Sequence, residues 1–337
     1  MNKTFIVAEL SANHNGSKET AIATIKAARQ AGADAVKLQT YTADTITLDC
    51  RTDDFKTQDG GLWENRYLYD VYKEAYTPWE WHAELFEVAR QEGLICFSSP
   101  FDKTAIDFLE TLHNPIYKIA SFEITDIPLI EYAASTMKPI VISTGIAALD
   151  DIQLAVDTCR RMGNEDITLL KCTSSYPAPI EEANLVMIPD MAKRFNVKTG
   201  LSDHTMGALA PITAVALGAA MIEKHFIIDR AIGGPDAAFS MNEKEFLQMV
   251  QQIRTVEKAM GKVSYELTDK MISGKDFSRS LYVAEDMKTG SIIDEKNVRS
   301  VRPGYGLHPK YWNKIVGKRV NRDLKKGERF DFEMVAE

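Results

Sequence analysis

Two short segments set histidines where a metal ion could be held. Gly200-Leu201-Ser202-Asp203-His204-Thr205 and Ile222-Glu223-Lys224-His225-Phe226 each carry an imidazole at or just past the end of an apolar run, beside an acidic residue. Imidazole is the commonest metal ligand in proteins, and two from neighbouring strand ends suit one divalent cation. The same pattern fits two packed histidines, and spacing alone leaves both readings open. Other run ends carry cations and hydroxyls. Lys37 and Lys118 are long cations within strand-like pieces, and Ser99, Ser121, Ser143 and Ser174 end four more. Each serine alone reads as a strand-end cap; converging on one mouth, the set suits a phosphate or carboxylate bound by charge-assisted hydrogen bonds. Burying such groups unpaired costs on the order of 2 kcal/mol each, so a ligand or dense hydrogen bonding must satisfy them.

Period-two alternation assigns faces. Lys37 and Gln39 share one side of their strand, and Glu223 and His225 share one side of theirs. Lys224 then turns toward the helices, its stem along apolar surface. Glu9 with Asn13, Glu123, and Ser202 with Asp203 complete the polar ends. His14, between Asn13 and Asn15, shapes a turn, while His82 and His113 lie on helices and read as structural. No GxSxG elbow supports a serine nucleophile.

The elements that must position these groups alternate regularly. Strands are expected at Phe5–Ala8, Ala35–Leu38, Ile95–Ser98, Tyr117–Ala120, Ile140–Ser143, Ile167–Cys172, Lys198–Leu201 and Met221–Ile227. Helices are expected at Lys18–Ala31, Trp79–Gln91, Lys103–Leu112, Pro128–Ser135, Leu149–Met162, Ala183–Arg194, Ala208–Leu217 and Glu243–Met260, with Ser17 and Asn242 as caps and Gly32 and Gly93 as stops. Strand followed by helix eight times is the pattern of a (β/α)8 TIM barrel. A doubly wound sheet would also alternate, but Glu9 to Gly16 lacks its GxGxxG turn. An insertion from Thr42 to Pro78, rich in aromatics and glycine (Gly60-Gly61-Leu62-Trp63, Tyr67, Tyr69, Tyr72, Tyr76), reads as a lid or as an oligomer contact. The barrel is expected over 1–262, a polar linker over 263–279 and a small β-rich domain over 280–337. That domain is small enough to need docking on the barrel or on a second subunit.

Composition bounds the partners. Apolar and charged contents of 45% and 26% are those of a soluble globular protein. Net charge is −8; residues 280–337 hold 12 Lys+Arg against 9 Asp+Glu, or +3, leaving −11 on the rest. An acidic body argues against nucleic acid. Cys50, Cys96, Cys159 and Cys172 form no CxxC pair. Glu9 interrupts any leader-like start, and no window approaches the roughly 18 apolar residues of a membrane span. A reduced, cytoplasmic protein without a membrane partner is the simplest expectation.

At these residues the chain closely resembles the sialic acid synthase family, enzymes that condense phosphoenolpyruvate with a 2-acetamido sugar. The matching stretches are Ala8-Glu9 through Asn13-His14-Asn15-Gly16-Ser17, Val36 to Thr40, Ser98-Ser99-Pro100-Phe101, Tyr117 to Ser121, Ser143-Thr144-Gly145, Gly200 to His204 and Glu223 to Phe226. Arg302-Pro303-Gly304-Tyr305-Gly306-Leu307 looks like the antifreeze-like (SAF, β-clip) domain that closes these enzymes. Within the family, Glu9-Leu10-Ser11-Ala12-Asn13-His14, Ala120-Ser121-Phe122-Glu123, Lys171 to Pro177 and Gly306-Leu307-His308-Pro309 look most like the pseudaminic acid synthases.

The resemblance implies phosphoenolpyruvate and 2,4-diacetamido-2,4,6-trideoxy-L-altropyranose as substrates. It implies His204 and His225 as ligands of a Mn2+-, Mg2+- or Co2+-type ion, and Glu9 as the carboxylate acting on the attacking water. Lys37, Ser99, Lys118, Ser121, Ser143, Ser174, Tyr176 and Ser202 match the phosphoenolpyruvate pocket; Gln39, Glu123 and Asp236 match sugar contacts. Arg302 matches an arginine that enters the partner's barrel in a domain-swapped homodimer. Where relatives making neuraminic acid carry a linker phenylalanine, this chain has Ser278, with Phe277 adjacent. The alternatives are a synthase for N-acetylneuraminic or legionaminic acid and, of another class, a non-catalytic sugar-binding protein.

Overall fold

The computed structural model describes residues 3–57 and 65–336. The chain divides into two compact units, Met1–Lys262 and Val263–Glu337. In the first, eight parallel strands close a barrel in chain order: β1 (Phe5–Glu9), β2 (Ala35–Thr40), β3 (Ile95–Pro100), β4 (Tyr117–Ile119), β5 (Ile140–Ser143), β6 (Ile167–Cys172), β7 (Lys198–Asp203) and β8 (Met221–His225). A helix follows each strand: Lys18–Gln30, Trp79–Gln91, Lys103–Thr111, Ile127–Ser135, Leu149–Arg161, Met187–Phe195, Leu209–Ala216 and Glu243–Met260. Their starts are chemically marked. Ser17 accepts from the Thr20 N–H, Asp102 from Thr104 and Ala105, and Asn242 exchanges bonds with Glu245. Gly32 and Gly93 follow two helices in the left-handed conformation, at φ +86° and +74°, where side chains are disfavoured.

The barrel interior is layered. Val7, Ala35, Phe97, Val141, Leu170 and Met221 pack together as an apolar floor inside it. Two residues further along the same strand faces come Glu9, Lys37, Ser99, Ser143, Cys172 and Glu223, which alternation aims into the barrel at the carboxyl end. Apolar residues on the outer faces join the helices in two clusters, one around Ile6, Val36 and Ile222, the other around Tyr117, Ile142 and Leu169.

Several boundaries differ from the expectation. β2, β3 and β7 run two residues further, to Thr40, Pro100 and Asp203, because the polar end residues stay in the ladder. β4 stops at Ile119, since Ser121–Glu123 turns into a 3-10 helix. The helix expected at Ala183 starts at Met187, after Asn184 adopts φ +42°. The insertion holds short helices at Ala43–Ile46 and Leu68–Ala75 and sets Tyr72 edge-on to Tyr41 at 5.8 Å. Its Gly60, Gly61, Leu62 and Trp63 lie outside the described residues.

In the second unit, β9 (Ser280–Val283) and β10 (Val298–Val301) pair antiparallel, and isolated bridges complete a β-rich body around Leu281, Val283, Val298, Val320 and Phe330. The segment read as linker carries a helix, Asp269–Gly274, capped by Thr268.

Two helix-side histidines tie this barrel to pH. The His82 imidazole lies 2.9 Å from the Thr40 hydroxyl and 3.1 Å from the Pro78 carbonyl, and that of His14 accepts from the Gly16 N–H and meets the Thr77 hydroxyl. Burial lowers both from 6.5 to about 4. Between those values the unfolded chain takes up protons that the folded chain refuses. Their contribution is therefore complete above pH 6.5 and is lost as pH falls toward 4, up to about 3 kcal/mol each. Denaturant unfolding at several pH values should show this loss, with a flatter acid slope for His82→Gln. Equal slopes for variant and wild type would contradict it.

Candidate active site

Four buried ionisable side chains form the centre of the barrel mouth. Lys37 Nζ lies 3.1 Å from Glu9 Oε2 and 3.2 Å from Glu223 Oε1, and Lys118 Nζ lies 3.5 Å from the same Glu223 oxygen. All four are at most 5% exposed at the side chain. Register explains the meeting: Glu9 stands opposite Lys37 across β1 and β2, and Val7 opposite Glu223 across β1 and β8. Lys37 also donates to Ser99, Ser202 donates to Glu223, and Gln39 donates to Glu9 and Ser11.

The two carboxylates differ electrostatically. Burial raises the Glu9 carboxyl well above the ordinary range, and the nearby Glu223 charge outlasts part of the opposing pull of Lys37. Burial acts on Glu223 too, but Lys118 and Lys37 outweigh it and hold that group low. Burial also lowers Lys118. The lysines thus share one firmly ionised carboxylate and keep N–H donors for a further acceptor. That suits an anion.

A hydroxyl-lined corner adjoins the cations. Ser121 accepts from the Gly145 N–H, and a Cβ on Gly145 would fall 2.1 Å from the Ser174 hydroxyl and 2.7 Å from that of Ser121. Only glycine allows both hydroxyls to approach this turn. Ser143 Oγ, Glu123 Oε2, Glu223 Oε2 and His225 Nδ1 are buried without a hydrogen-bond partner in the protein. Buried polar groups are rarely left so, and these four mark where a ligand is to bind.

The imidazoles of His204 and His225 stand with ring centroids 5.2 Å apart. His204 Nδ1 lies 3.0 Å from the Thr173 carbonyl and donates there. Burial opposes its proton, but Cys172 and that carbonyl outweigh burial and raise its pKa, so Nε2 offers a lone pair once a bound cation displaces the second proton. Burial and the neighbouring His204 hold His225 far below the usual histidine range, so it is neutral, as a ligand must be. Asp236, held by Ser11, places Oδ2 4.0 Å from His225 Nδ1. Tyr176 tilts over His204 at 4.4 Å and Phe239 packs on His225 at 4.9 Å. Among the described residues no group of three or more His, Cys, Asp or Glu could hold a metal ion. Two neighbouring imidazoles with Asp236 close by are a donor set that fits a divalent cation.

The structure therefore brings Glu9, Lys37, Gln39, Ser99, Lys118 and Ser202 together. It joins His204, His225, Tyr176 and Asp236 beside them, and Ser121 with Ser174 at Gly145. Arg302 is an exposed residue of the second unit, as is Ser278, with Phe277 71% exposed. Sequence reasoning missed Glu223 as the centre of the charge network. Its period-two partnership with His225 was the available signal. Lys224 turns to the outer face of β8 as expected; what the sequence did not show is that its ammonium is buried there, 1% exposed and ion-paired to Asp203 at 2.5 Å.

Residues 24–265 match the NeuB family and residues 278–336 the SAF domain. The pseudaminic acid synthase of Campylobacter jejuni serotype O:2 is 47% identical over 97% of this chain and 95% of its own, and that of Helicobacter pylori is 49% identical over 95% and 94%. The crystal structure of N-acetylneuraminic acid synthetase from Leptospira borgpetersenii superposes with a TM-score of 0.72 at 30% identity, covering 81% of this chain and 90% of that one.

Removing the shared carboxylate should leave two buried ammonium groups with one partner between them. Glu223→Gln is expected to lower unfolding free energy by about 3 kcal/mol, read by denaturant titration. An unchanged midpoint would show that the lysines do not depend on Glu223.

Proposed function

Because the chain belongs to the NeuB family, the sialic acid synthases, and ends in a SAF domain, we propose that it acts as a pseudaminic acid synthase. It condenses phosphoenolpyruvate with 2,4-diacetamido-2,4,6-trideoxy-L-altropyranose and releases phosphate. The observation that carries this is one buried mouth combining two lysines, unpaired polar atoms and a pair of imidazoles.

Lys37 and Lys118, with the hydroxyls of Ser99, Ser121, Ser143, Ser174 and Ser202, hold the phosphate and carboxylate of phosphoenolpyruvate. Tyr176 walls the pocket. Gln39, Glu123 and Asp236 contact the sugar, turned so that its opened aldehyde lies toward the imidazoles. His204 and His225 hold a Mn2+-, Mg2+- or Co2+-type ion, which when bound acts as a Lewis acid on the aldehyde oxygen. The enol carbon forms the new C–C bond with the aldehyde carbon. As that bond forms, the aldehyde C=O opens to an alkoxide. Water then adds to the carbon bearing the phosphate ester, giving one proton to Glu9, which passes it to the alkoxide. The tetrahedral C–OH closes to the ketone as the C–O bond to phosphate breaks, and phosphate leaves with the second proton. A carboxylate raised by burial is a stronger base than an ordinary one, which suits that task. Holding both reactants in one dry layer supplies positioning and electrostatic stabilisation.

The assembly is a homodimer in which Arg302 reaches the partner's barrel. In its support, large apolar residues are exposed on the segments after the strands: Phe122 at 58%, Val186 at 68%, Met206 at 55% and Leu209 at 67%. Among the described residues no helix is long and apolar enough to cross a membrane. The cytoplasm, where phosphoenolpyruvate is available, is the proposed location.

Four outcomes test this function. Phosphate release from phosphoenolpyruvate should depend on the diacetamido-trideoxy sugar and fall at least tenfold with N-acetylmannosamine; the reverse preference would favour a neuraminic acid synthase, and no release with any sugar a binding protein. Glu9→Ala should keep phosphoenolpyruvate affinity, measured by calorimetry, while kcat drops ~100-fold or more; near-normal kcat would remove Glu9 from water activation. Since Glu9 must be ionised, kcat should decline as pH falls through a midpoint above the ordinary carboxylate range. A chelator should abolish turnover and added Mn2+ restore it, whereas full activity in chelator would exclude the metal.

A further inference from the structure

The sheet ladder between β7 and β8 ends at Asp203 opposite Lys224, one residue before each histidine. His204 lies beyond the last strand residue, outside the β7–β8 ladder; its carbonyl accepts from the Ala178 N–H at 3.0 Å, which ties it to the segment after β6 but not to β8. A second network makes that tie. Lys224 Nζ is ion-paired to Asp203 Oδ2 at 2.5 Å and donates to the Thr205 carbonyl. Asp203 accepts from the Thr205 N–H at 3.0 Å and from its hydroxyl at 3.2 Å. The residues on both sides of His204 are thereby tied to the residue next to His225. The pair is at most 2% exposed at both side chains, on the strand faces opposite Ser202 and Glu223.

Such a buried pair is a poor source of stability, because desolvation offsets most of the Coulomb attraction and an apolar pair of similar size does as well. Its best-attested use is to fix register. We propose that Lys224 and Asp203 are positioning residues that set the separation and orientation of the His204 and His225 imidazoles from behind the sheet. This rests on the reading of those histidines as the ligands of a divalent ion. Outer groups that orient ligands typically change metal affinity 10- to 100-fold when lost.

The test is calorimetric titration of Mn2+ into the full-length protein, wild type, Lys224→Met and the uncharged double variant Asp203→Asn/Lys224→Met. The double variant leaves no buried charge unpaired and guards against loss of folding. The expected result is a Kd for Mn2+ raised ~10- to 100-fold in the double variant, with its thermal midpoint and its affinity for phosphoenolpyruvate within twofold or a few degrees of wild type. Equal Mn2+ affinity in wild type and double variant overturns the inference alone. No Mn2+ binding by wild type overturns the metal reading and the inference with it. A double variant that loses Mn2+ and phosphoenolpyruvate binding together also overturns it, since the pair then supports the whole mouth rather than the two imidazoles.

Discussion

Two ammonium groups held over an apolar floor with one firmly ionised carboxylate between them set the terms for the rest of the barrel mouth. Lys37 and Lys118 are almost wholly removed from water, and the charge that answers them is Glu223. Charges so placed interact far more strongly than at a surface. The arrangement holds Glu223 ionised while burial raises Glu9, and the remaining ammonium donors suit an anion at the same spot. The unpaired Ser143 hydroxyl and second Glu223 oxygen belong to the same unfinished network. A substrate carrying both phosphate and carboxylate is proposed to complete it.

The fold supplies what that network needs. Parallel strands with side chains alternating in and out lift a polar layer onto Val7, Phe97 and Leu170, so its groups cannot reach bulk water from below. Adjacent strands then decide neighbours: Glu9 faces Lys37 on one side and His225 on the other. The carboxylate proposed to act on water therefore bridges the anion-binding and imidazole halves of the site. On the outer face of the same strands, Lys224 and Asp203 occupy positions that packing alone would give to leucine or valine.

Much of this was legible in the residues. Period-two alternation placed Lys37 with Gln39 and Glu223 with His225, and short apolar runs with capped helices between them predicted the closed barrel. The eight strands begin where expected because each opens a run that is buried from its second residue at the latest, even where the first, Lys198 or Ile95, is exposed. Strand ends were less legible. Polar residues such as Gln39, Thr40 and Ser202 look like loop in sequence but stay in the ladder, where Gln39 donates to Glu9, Thr40 meets Ser98 and His82, and Ser202 donates to Glu223. Glu223 was grouped with His225, yet its place between two lysines depends on three-strand register that no local pattern encodes. The outward turn of Lys224 was legible, but its burial was not: it depends on the Asp203 carboxylate of the adjacent strand, which no local pattern encodes. The 3-10 turn at Ser121–Glu123 and the helix within the segment read as linker likewise arise from tertiary contacts and short-range capping.

The central claim is that water adds at the carbon of phosphoenolpyruvate, in a site where Glu9 takes the proton and the lysines hold the departing phosphate. Phosphoenolpyruvate labelled with 18O in the oxygen bridging carbon and phosphorus tests this directly by mass spectrometry of the products. The account predicts the label entirely in inorganic phosphate, because the C–O bond breaks. Label retained in the sugar acid, with unlabelled phosphate, would mean cleavage at phosphorus and would contradict it.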